Sequence, residues 1–460
     1  MENFERILVV ISFITSFFGV FVLNGIIIAV PSIGAEFGMN NVVQNWIPTL
    51  FVFVVTMATL PSGQISSKFG SKKSYIIGNI LLVLGFFISC IAFSSETFLF
   101  SRIVQGLGVG LSNVAEMTIL VLAISKENRG KALGIIVAGV YLGTSLSPVI
   151  CGFLVQNLGW RSIFYFSIPF MVICILLMMF KIEGEWKTSK NDRIDIIGAI
   201  LYVCGIFFFI YGFTDLISFI GKIFVVIGTI LLILFGVYEL RQMTPVFKVG
   251  LLKNKSFSLY NIAGLCGFFS VMALSTIFNY YFQYVKGWDP QLTGLILLVS
   301  PIIMSITAPN AGRLSDRIHP QKIASIGMVI TAVALLILVF LDPNTPIYVI
   351  VIAMALQALG MGLFSSPNMN AIVSAVPQEY APHASAAQLT IRAIGQTMSL
   401  GLMTLVFSWI MGNLILATEH AGMITQASGI ICAVCALACI IAVVCSLYGM
   451  KLEGDFTLNA

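Results

Sequence analysis

Residues 102–116 read Arg102-Ile-Val-Gln-Gly-Leu-Gly-Val-Gly-Leu-Ser-Asn-Val-Ala-Glu116 and lie inside an apolar run that is too long for an ordinary core helix. The polar side chains that matter here are Arg102, Gln105, Asn113 and Glu116. At about 100° per residue, these four share a helical arc of roughly 80°. Because Arg or Glu at mid-membrane costs roughly 2.5–3.5 kcal/mol, we expect this polar stripe to face a wet cavity rather than lipid.

Composition indicates an integral membrane protein. Of the 460 residues, 58% are hydrophobic and only 9% are charged, whereas soluble proteins carry roughly 25% charged residues. The first apolar run, 7–30, is too long for a signal-peptide core and has no cleavage site after it, which predicts an uncleaved span. All nine cysteines fall in apolar runs, so we expect neither a disulfide framework nor a metal site.

Windows of about 20 apolar residues predict fourteen transmembrane helices. Their approximate bounds are 7–30, 44–62, 74–94, 97–122, 131–155, 163–180, 196–214, 221–240, 258–284, 291–311, 323–341, 346–369, 386–412 and 425–449. With both termini placed in the cytoplasm, nineteen of the 24 lysines and arginines lie in cytoplasmic segments and three lie outside. The positive-inside rule therefore favours this topology. The net charge of +5 carries no information about nucleic acid, because the basic residues lie in short loops between spans, and we expect no nucleic-acid partner.

The chain carries an internal repeat. The loop 312–322 repeats the pattern of the loop 63–73, and Gln357-Ala-Leu-Gly-Met-Gly362 repeats Gln105-Gly-Leu-Gly-Val-Gly110. Spans seven and eight have no counterpart in this repeat. We therefore predict three regions, namely a six-helix bundle at 1–181, an inserted helix pair with its loops at 182–257, and a second six-helix bundle at 258–460. Transporters are often built from such repeats.

Motifs occur in order along nearly the whole chain. They are Gly63 to Lys73, Arg102-x-x-Gln105-Gly106, the span-five series with Ser147-Pro148, Trp160-Arg161-x-Ile-Phe164, Asp195-x-x-Gly198-Ala199 and Arg392-x-x-Gly395. Together they resemble the major facilitator superfamily, and within it the fourteen-span drug:proton antiporter family. The resemblance implies an all-α major facilitator fold of two pseudo-symmetric six-helix bundles plus two inserted helices. It also implies a monomer in the cell membrane.

The resemblance implies two cytoplasmic latch loops. Their residues are Gly63, Ser67, Lys68, Gly70 and Lys73 in the first, and Gly312, Arg313, Asp316 and Arg317 in the second. Ser67 stands where the family has an acid, so we expect the second loop to be the stronger latch. The alternative is that the basic residues of these loops only set topology.

The resemblance also implies an antiporter motif in span five. Its residues are Gly134, Gly139, Gly143, Ser147, Pro148 and Gly152. Small residues at every fourth position form a ridge that lets helix backbones approach closely. The functional interpretation puts this ridge at the interface between bundles, where it limits proton leak, and the alternative is ordinary packing within one bundle.

One departure from the family bears on proton coupling. The span-one aspartate of the family falls at Val22, and Asn24 is the nearest polar residue. Glu116 is then the carboxyl group deep in the first bundle, and if desolvated it could bind and release a proton near neutral pH. The alternative is that Glu116 snorkels or pairs with Lys126 or Arg129. For Arg102, we expect bonds to backbone carbonyls across the cavity or to anionic substrate groups, with a purely structural pairing as the alternative.

These observations predict a substrate and proton path. Its candidate residues are Asn24, Arg102, Gln105, Asn113, Glu116, Asn368, Gln388, Arg392 and Gln396. No nucleotide-binding glycine loop and no nucleophile–base set occurs, so we expect no enzymatic activity and no cofactor. The favoured function is proton-coupled efflux of amphipathic small molecules. The alternatives are a metabolite or organic-anion carrier without proton coupling and, less favoured, a membrane receptor that does not transport.

Overall fold

The computed structural model describes residues 3–187, 195–242, 249–315, 317–377 and 381–452, and regular structure in these ranges is helical. The helices are α1 (Asn3–Glu36), α2 (Asn41–Phe69), α3 (Ser71–Cys90), α4 (Ser95–Ala123), α5 (Lys126–Leu158), α6 (Ser162–Phe180), α7 (Ile196–Thr214), α8 (Phe219–Glu239), α9 (Lys255–Phe269), α10 (Met272–Tyr280), α11 (Pro290–Leu297), α12 (Val299–Leu314), α13 (Pro320–Val339), α14 (Ile347–Ser374), α15 (Ala381–Met411) and α16 (Ala421–Lys451). Short helical turns lie at Val249–Lys253, Tyr281–Val285 and Thr418–His420.

Fourteen segments of the described chain are long and apolar enough to cross a bilayer. Helices α1 to α8 are the first eight spans, α9 with α10 forms span nine, α11 with α12 forms span ten, and α13 to α16 are the last four. A helix satisfies its own backbone groups, which lipid cannot do. The predicted all-α fold with fourteen spans is confirmed, whereas the sidedness of the termini stays a prediction.

The chain divides into two compact units. Unit one contains Met1–Phe207, Trp288–Leu298 and Asn413–Ile415, and unit two contains Phe208–Gly287, Val299–Gly412 and Leu416–Ala460. Within unit one, α1 packs on α5 and α6, α3 on α4 and α6, and α2 on α4. Within unit two, α9 packs on α15 and α16, α13 on α14 and α16, and α12 on α14.

Each unit therefore contains the same set of helix pairings, in the chain order that the repeat predicts. The domain limits at 1–181, 182–257 and 258–460 stay a prediction. The first half of α7 packs in unit one, where the Tyr202 hydroxyl donates a 2.9 Å hydrogen bond to the Thr56 carbonyl.

Span nine is interrupted, although its apolar run predicts one continuous helix. The helical pattern stops at Ser270 and Val271, between α9 and α10. The backbone N–H of Ala273 donates to the Ser399 hydroxyl of α15 over 2.9 Å. A side chain on a neighbouring helix thus replaces the backbone partner that the interruption removes. The pattern of apolar residues along span nine cannot reveal a hydrogen-bond partner on another helix.

Candidate functional site

Glu116 lies on α4, where α1 and α3 pack against it, and its side chain is 6% exposed. Ser16 of α1 donates a 3.5 Å hydrogen bond to Glu116 Oε1, and the buried Ser12 hydroxyl lies near the same carboxyl group without a hydrogen-bond partner among the described residues. Tyr75 of α3 is fully buried beside it, and its hydroxyl hydrogen-bonds with Thr15. We call these five side chains (Ser12, Thr15, Ser16, Tyr75 and Glu116) the Glu116 junction.

The Glu116 junction can accommodate both charge states of its carboxyl group. A serine hydroxyl donates to a carboxylate and accepts from a carboxylic acid. Glu116 forms no ion pair with any side chain that the structure describes. The ion pair found among those side chains, with nitrogen and oxygen within 4 Å, joins Arg161 to Glu36. The side chains of Lys126 and Arg129, the alternative partners of Glu116, lie outside the described residues.

Arg102 is fully buried within unit one. Its Nε donates to the Ile47 carbonyl over 3.2 Å, its Nη1 donates to Gln105 Oε1, and its guanidinium lies 4.4 Å from the centre of the Phe51 ring. Its Nη2 has no partner among the described residues. Arg102 therefore bonds a backbone carbonyl, as the sequence suggests, but that carbonyl belongs to the adjacent helix α2.

The expectation that the polar stripe of α4 faces a wet cavity is wrong for Arg102 and Gln105. Gln105 is also fully buried, and its amide donates to the Gly85 carbonyl over 3.1 Å and to the Ser89 hydroxyl over 2.8 Å. Helices α2 and α3 thus supply hydrogen-bond partners at this end of the stripe, apart from Arg102 Nη2. Asn113 is exposed. Whether the four residues belong to a transport path stays a prediction.

Asn24, the residue nearest to the missing span-one acid, bonds within its own helix. Its side-chain amide donates to the Val20 carbonyl over 2.9 Å, and the residue is partly buried. Val22, which takes the place of the acid, is 3% exposed.

Asn368 takes the position of Glu116 in unit two, at the packing of α14 with α13 and α9. It is fully buried, and its Oδ1 accepts a 3.1 Å hydrogen bond from Gln321 Nε2. Its Nδ2 has no hydrogen-bond partner among the described groups. A methyl group built on Gly264 of α9 would lie 3.1 Å from that nitrogen. The carboxyl group of unit one therefore has a carboxamide as its counterpart in unit two.

The polar side chains of α15 differ in exposure. Gln388 is 5% exposed, Gln396 is partly buried, and Arg392 is exposed. The Arg392 guanidinium lies 5.0 Å from the centre of the Phe268 ring on α9. A role of these three residues in a transport path stays a prediction.

The ridge on α5 packs against α1. The backbone carbonyls of Phe13 and Phe17 would lie 2.9 Å and 2.5 Å from a methyl group on Gly139 and Gly143, respectively. One turn later, the Ser147 hydroxyl donates to the Phe21 carbonyl over 2.6 Å. This face of the motif therefore serves packing within one bundle, which is the alternative that the sequence leaves open.

A second face of the same motif contacts span ten. The Pro290 carbonyl of α11 would lie 2.7 Å from a methyl group on Gly152, and a methyl group on Gly294 would overlap the Pro148 carbonyl. Helix α11 belongs to the second sequence repeat but to compact unit one. Gly134 also lies in α5, and its environment is outside the described residues. A role in limiting proton leak stays a prediction.

The two latch loops expose most of their basic residues, and Lys72 in the first is partly buried. In the first, Lys68 and Lys73 are exposed and Ser67 is partly buried, and Gly63 lies near Val114. In the second, Arg313 and Arg317 are exposed, and a methyl group on Gly312 would lie 2.8 Å from the Ser366 hydroxyl. Asp316 lies outside the described residues, so the greater strength of the second latch stays a prediction.

The sequence gives no sign of a cluster that joins three helix ends. Arg161, just before α6, forms a 2.7 Å ion pair with Glu36 of α1 and donates to the carbonyls of Cys90, the last residue of α3, and of Ala92. Trp160 Nε1 donates to the same Glu36 carboxylate over 2.7 Å. The motif Trp160-Arg161 marks these two residues in the sequence, but it does not predict that both of them bond Glu36.

Comparisons with known proteins agree with this fold. The sequence model of the Major Facilitator Superfamily matches residues 10–400. The riboflavin transporter RibZ of Clostridioides difficile (strain 630) is 29% identical over 83% of this chain and 82% of its own length. The multidrug resistance protein Stp of Mycobacterium tuberculosis (strain CDC 1551 / Oshkosh) is 27% identical over 84% of this chain and 73% of its own length.

Solved transporter structures share the architecture at low sequence identity. A POT family transporter in complex with a thioalcohol-conjugated peptide superimposes with a TM-score of 0.74 at 16% identity, over 98% of this chain and 96% of that one. At this identity, the likeness concerns the fold alone.

Proposed function

Because the chain belongs to the Major Facilitator Superfamily, we propose that it exports amphipathic organic compounds in exchange for protons, by alternating access in a cell membrane. One relative is named a multidrug resistance protein, which supports this class of substrate. The motifs of the drug:proton antiporter family in this sequence support the same direction of transport.

The observation that carries the proposal is the buried carboxyl group of Glu116. It lies among hydroxyl groups that suit both of its charge states, and no described cation is paired with it. Helices α1 and α4 meet at this point. A proton on Glu116 neutralises a buried negative charge. Protonation therefore stabilises most the arrangement of α1 and α4 that buries this carboxyl group most deeply.

Proton exchange at Glu116 can therefore select between two states of the transporter. A ligand shifts a conformational equilibrium only through its different affinity for the two states. If proton and substrate favour opposite states, each must leave before the other binds, and the pH gradient then drives export. Glu116 takes over the coupling role that the family assigns to the span-one acid, which is Val22 here.

The test is uptake of a fluorescent amphipathic cation such as ethidium into inverted membrane vesicles with an imposed pH gradient. We expect Glu116→Gln to lower the gradient-driven rate by about tenfold, since coupling between two ligands is typically worth that much. Glu96→Gln is the matched control, because Glu96 is an exposed carboxylate on the same helix. Gradient-driven uptake that survives in Glu116→Gln would overturn the proposal.

A second candidate function is an organic-anion or metabolite carrier without proton coupling. Arg102 would supply the positive charge through its Nη2, which has no partner among the described residues, in a state of the transporter that opens the contact of α4 with α2. The relative named a riboflavin transporter is compatible with it. Counterflow of a labelled organic anion, unchanged when the pH gradient is collapsed and lost in Arg102→Met, would favour this function over the first.

A further inference from the structure

A carboxylate reaches the first latch loop from another part of the chain. The loop itself has Ser67 at the position where the resemblance to the family implies an acid. Glu185 lies in the segment 182–187 that follows α6, which we call the strap, and its carboxylate contacts the loop at Gly70 and Lys72. The acid is thus 113 residues away in sequence from the lysine whose backbone it bonds.

The strap bonds the first turn of α3 at three places. The Lys72 backbone N–H donates to Glu185 Oε1 over 2.8 Å, and the Ser71 N–H donates to the Trp186 carbonyl over 2.9 Å. The Lys72 ammonium donates to the Ile182 carbonyl over 2.6 Å. These N–H groups belong to the first turn of a helix, where no intrahelical acceptor exists.

Gly70 makes room for this arrangement. It is the residue before α3 and has no side chain that could cap the helix. Its φ is +111°, which favours glycine, and a methyl group built on it would overlap the Glu185 carboxylate. The cap that Gly70 cannot supply comes from the strap, as a carboxylate placed where the positive end of the helix dipole favours one.

Both ends of the strap are packed in unit one. Ile182 is 1% exposed in an apolar cluster with Leu8, Tyr75 and Ile119. The ring of Trp186 lies 6.1 Å from the ring of Phe4 on α1. Glu185 is therefore held against α3 from both sides along its own chain.

We propose that Glu185 is the acidic group of the first latch loop, and that it acts as a positioning residue. From the strap it caps α3, and it joins the strap to the first latch loop, residues 63–73, which the structure forms as the end of α2, Gly70 and the start of α3. The first latch is then intact despite Ser67, with its acid supplied by the segment that leads from span six toward the inserted helix pair.

The test is hydrogen–deuterium exchange of the purified full-length protein, read at the backbone amides of residues 71–74. We expect Glu185→Ala to speed exchange there by roughly 3- to 10-fold, because a carboxylate at a helix N-terminus and its charge-assisted bond are both lost. Glu185→Gln keeps an oxygen acceptor and should give a smaller increase. Glu183→Ala is the matched control, since Glu183 is an exposed acid on the same strap.

A double-mutant cycle with Gly70 separates this cap from a general loosening. Gly70→Ala should speed exchange by displacing the carboxylate as well as straining the backbone. In the Glu185→Ala background its added effect should be smaller, because the overlap is gone. Exchange in Glu185→Ala equal to that in Glu183→Ala, or purely additive effects in the cycle, would overturn the proposal. Neither readout depends on which substrate is transported.

Discussion

Arg102 shows how a buried charge can be held by neutral groups. Its guanidinium bonds the Ile47 carbonyl and Gln105 and lies over the Phe51 ring. Such bonds offset part of the cost of burying a charge but do not remove it. Substitutions at Arg102 can therefore separate a role in transport from a role in folding.

We predict that Arg102→Met folds with nearly unchanged stability, whereas Arg102→Lys is less stable by about 1.5–3 kcal/mol. Methionine removes the buried charge together with its bonds. Lysine keeps the charge but lacks the planar fork that reaches two acceptors at once. Thermal unfolding in detergent measures both variants, with transport assayed in parallel. A methionine variant that unfolds far below the lysine variant would show that the arginine mainly holds the fold together.

At the scale of elements, the packing of α1 on α5 depends on missing side chains. Backbone carbonyls of α1 lie so close to Gly139 and Gly143 that a methyl group on either would overlap them. Close approach of helix backbones is a main source of attraction between helices in lipid, since burial of apolar surface contributes little there.

We predict that Gly143→Ala lowers the free energy of unfolding by about 1–3 kcal/mol, because the new methyl group would lie 2.5 Å from the Phe17 carbonyl. Gly19→Ala on α1 is the matched control. Nothing lies within 4 Å of a methyl group there, so it should be neutral or stabilise the helix by up to roughly 1 kcal/mol. Unfolding in mixed detergent micelles measures both. Equal effects of the two substitutions would mean that the ridge does not control the contact.

At the scale of the whole molecule, the features that the sequence predicts are those that depend on local composition. Fourteen spans follow from the length of apolar runs, and the repeated helix pairings follow from the echo of Gln105 at Gln357. Each of these signals is contained in a short window, so no knowledge of the partner helix is needed.

The structural features that cannot be predicted from the sequence are those that depend on which helices pack against each other. Periodicity places Arg102 and Glu116 on one face of α4, but α2 occupies that face at Arg102 and α1 meets it at Glu116. The cap of α3 by Glu185 joins segments far apart in the chain. The interruption of span nine is compensated by Ser399, which lies well over a hundred residues later. None of these pairings leaves a pattern in the sequence of either partner.

The repeat-related positions 116 and 368 have different surroundings in the two units. This difference allows a test of which unit carries the proton coupling. Glu116 lies among hydroxyl groups, whereas Asn368 is held by Gln321 and lies beside Gly264. Spans nine to fourteen contain no acid apart from Glu419 at the start of the last one. If Glu116 is the coupling carboxyl group, the described part of spans nine to fourteen offers no second buried carboxyl group that could bind the proton.

We therefore predict that moving the carboxyl group to unit two does not restore coupling. The double variant Glu116→Gln/Asn368→Asp should transport as slowly under a pH gradient as Glu116→Gln alone, because the described hydrogen-bond partner at position 368 is the Gln321 amide N–H, which donates to a carboxylate but cannot accept from a carboxylic acid. Asn368→Asp alone should keep gradient-driven transport, since Glu116 is intact. Initial rates in inverted vesicles at equal protein levels measure all three. Recovery of transport in the double variant would mean that the repeat-related positions are interchangeable and that the Glu116 junction is not what makes the proton exchangeable.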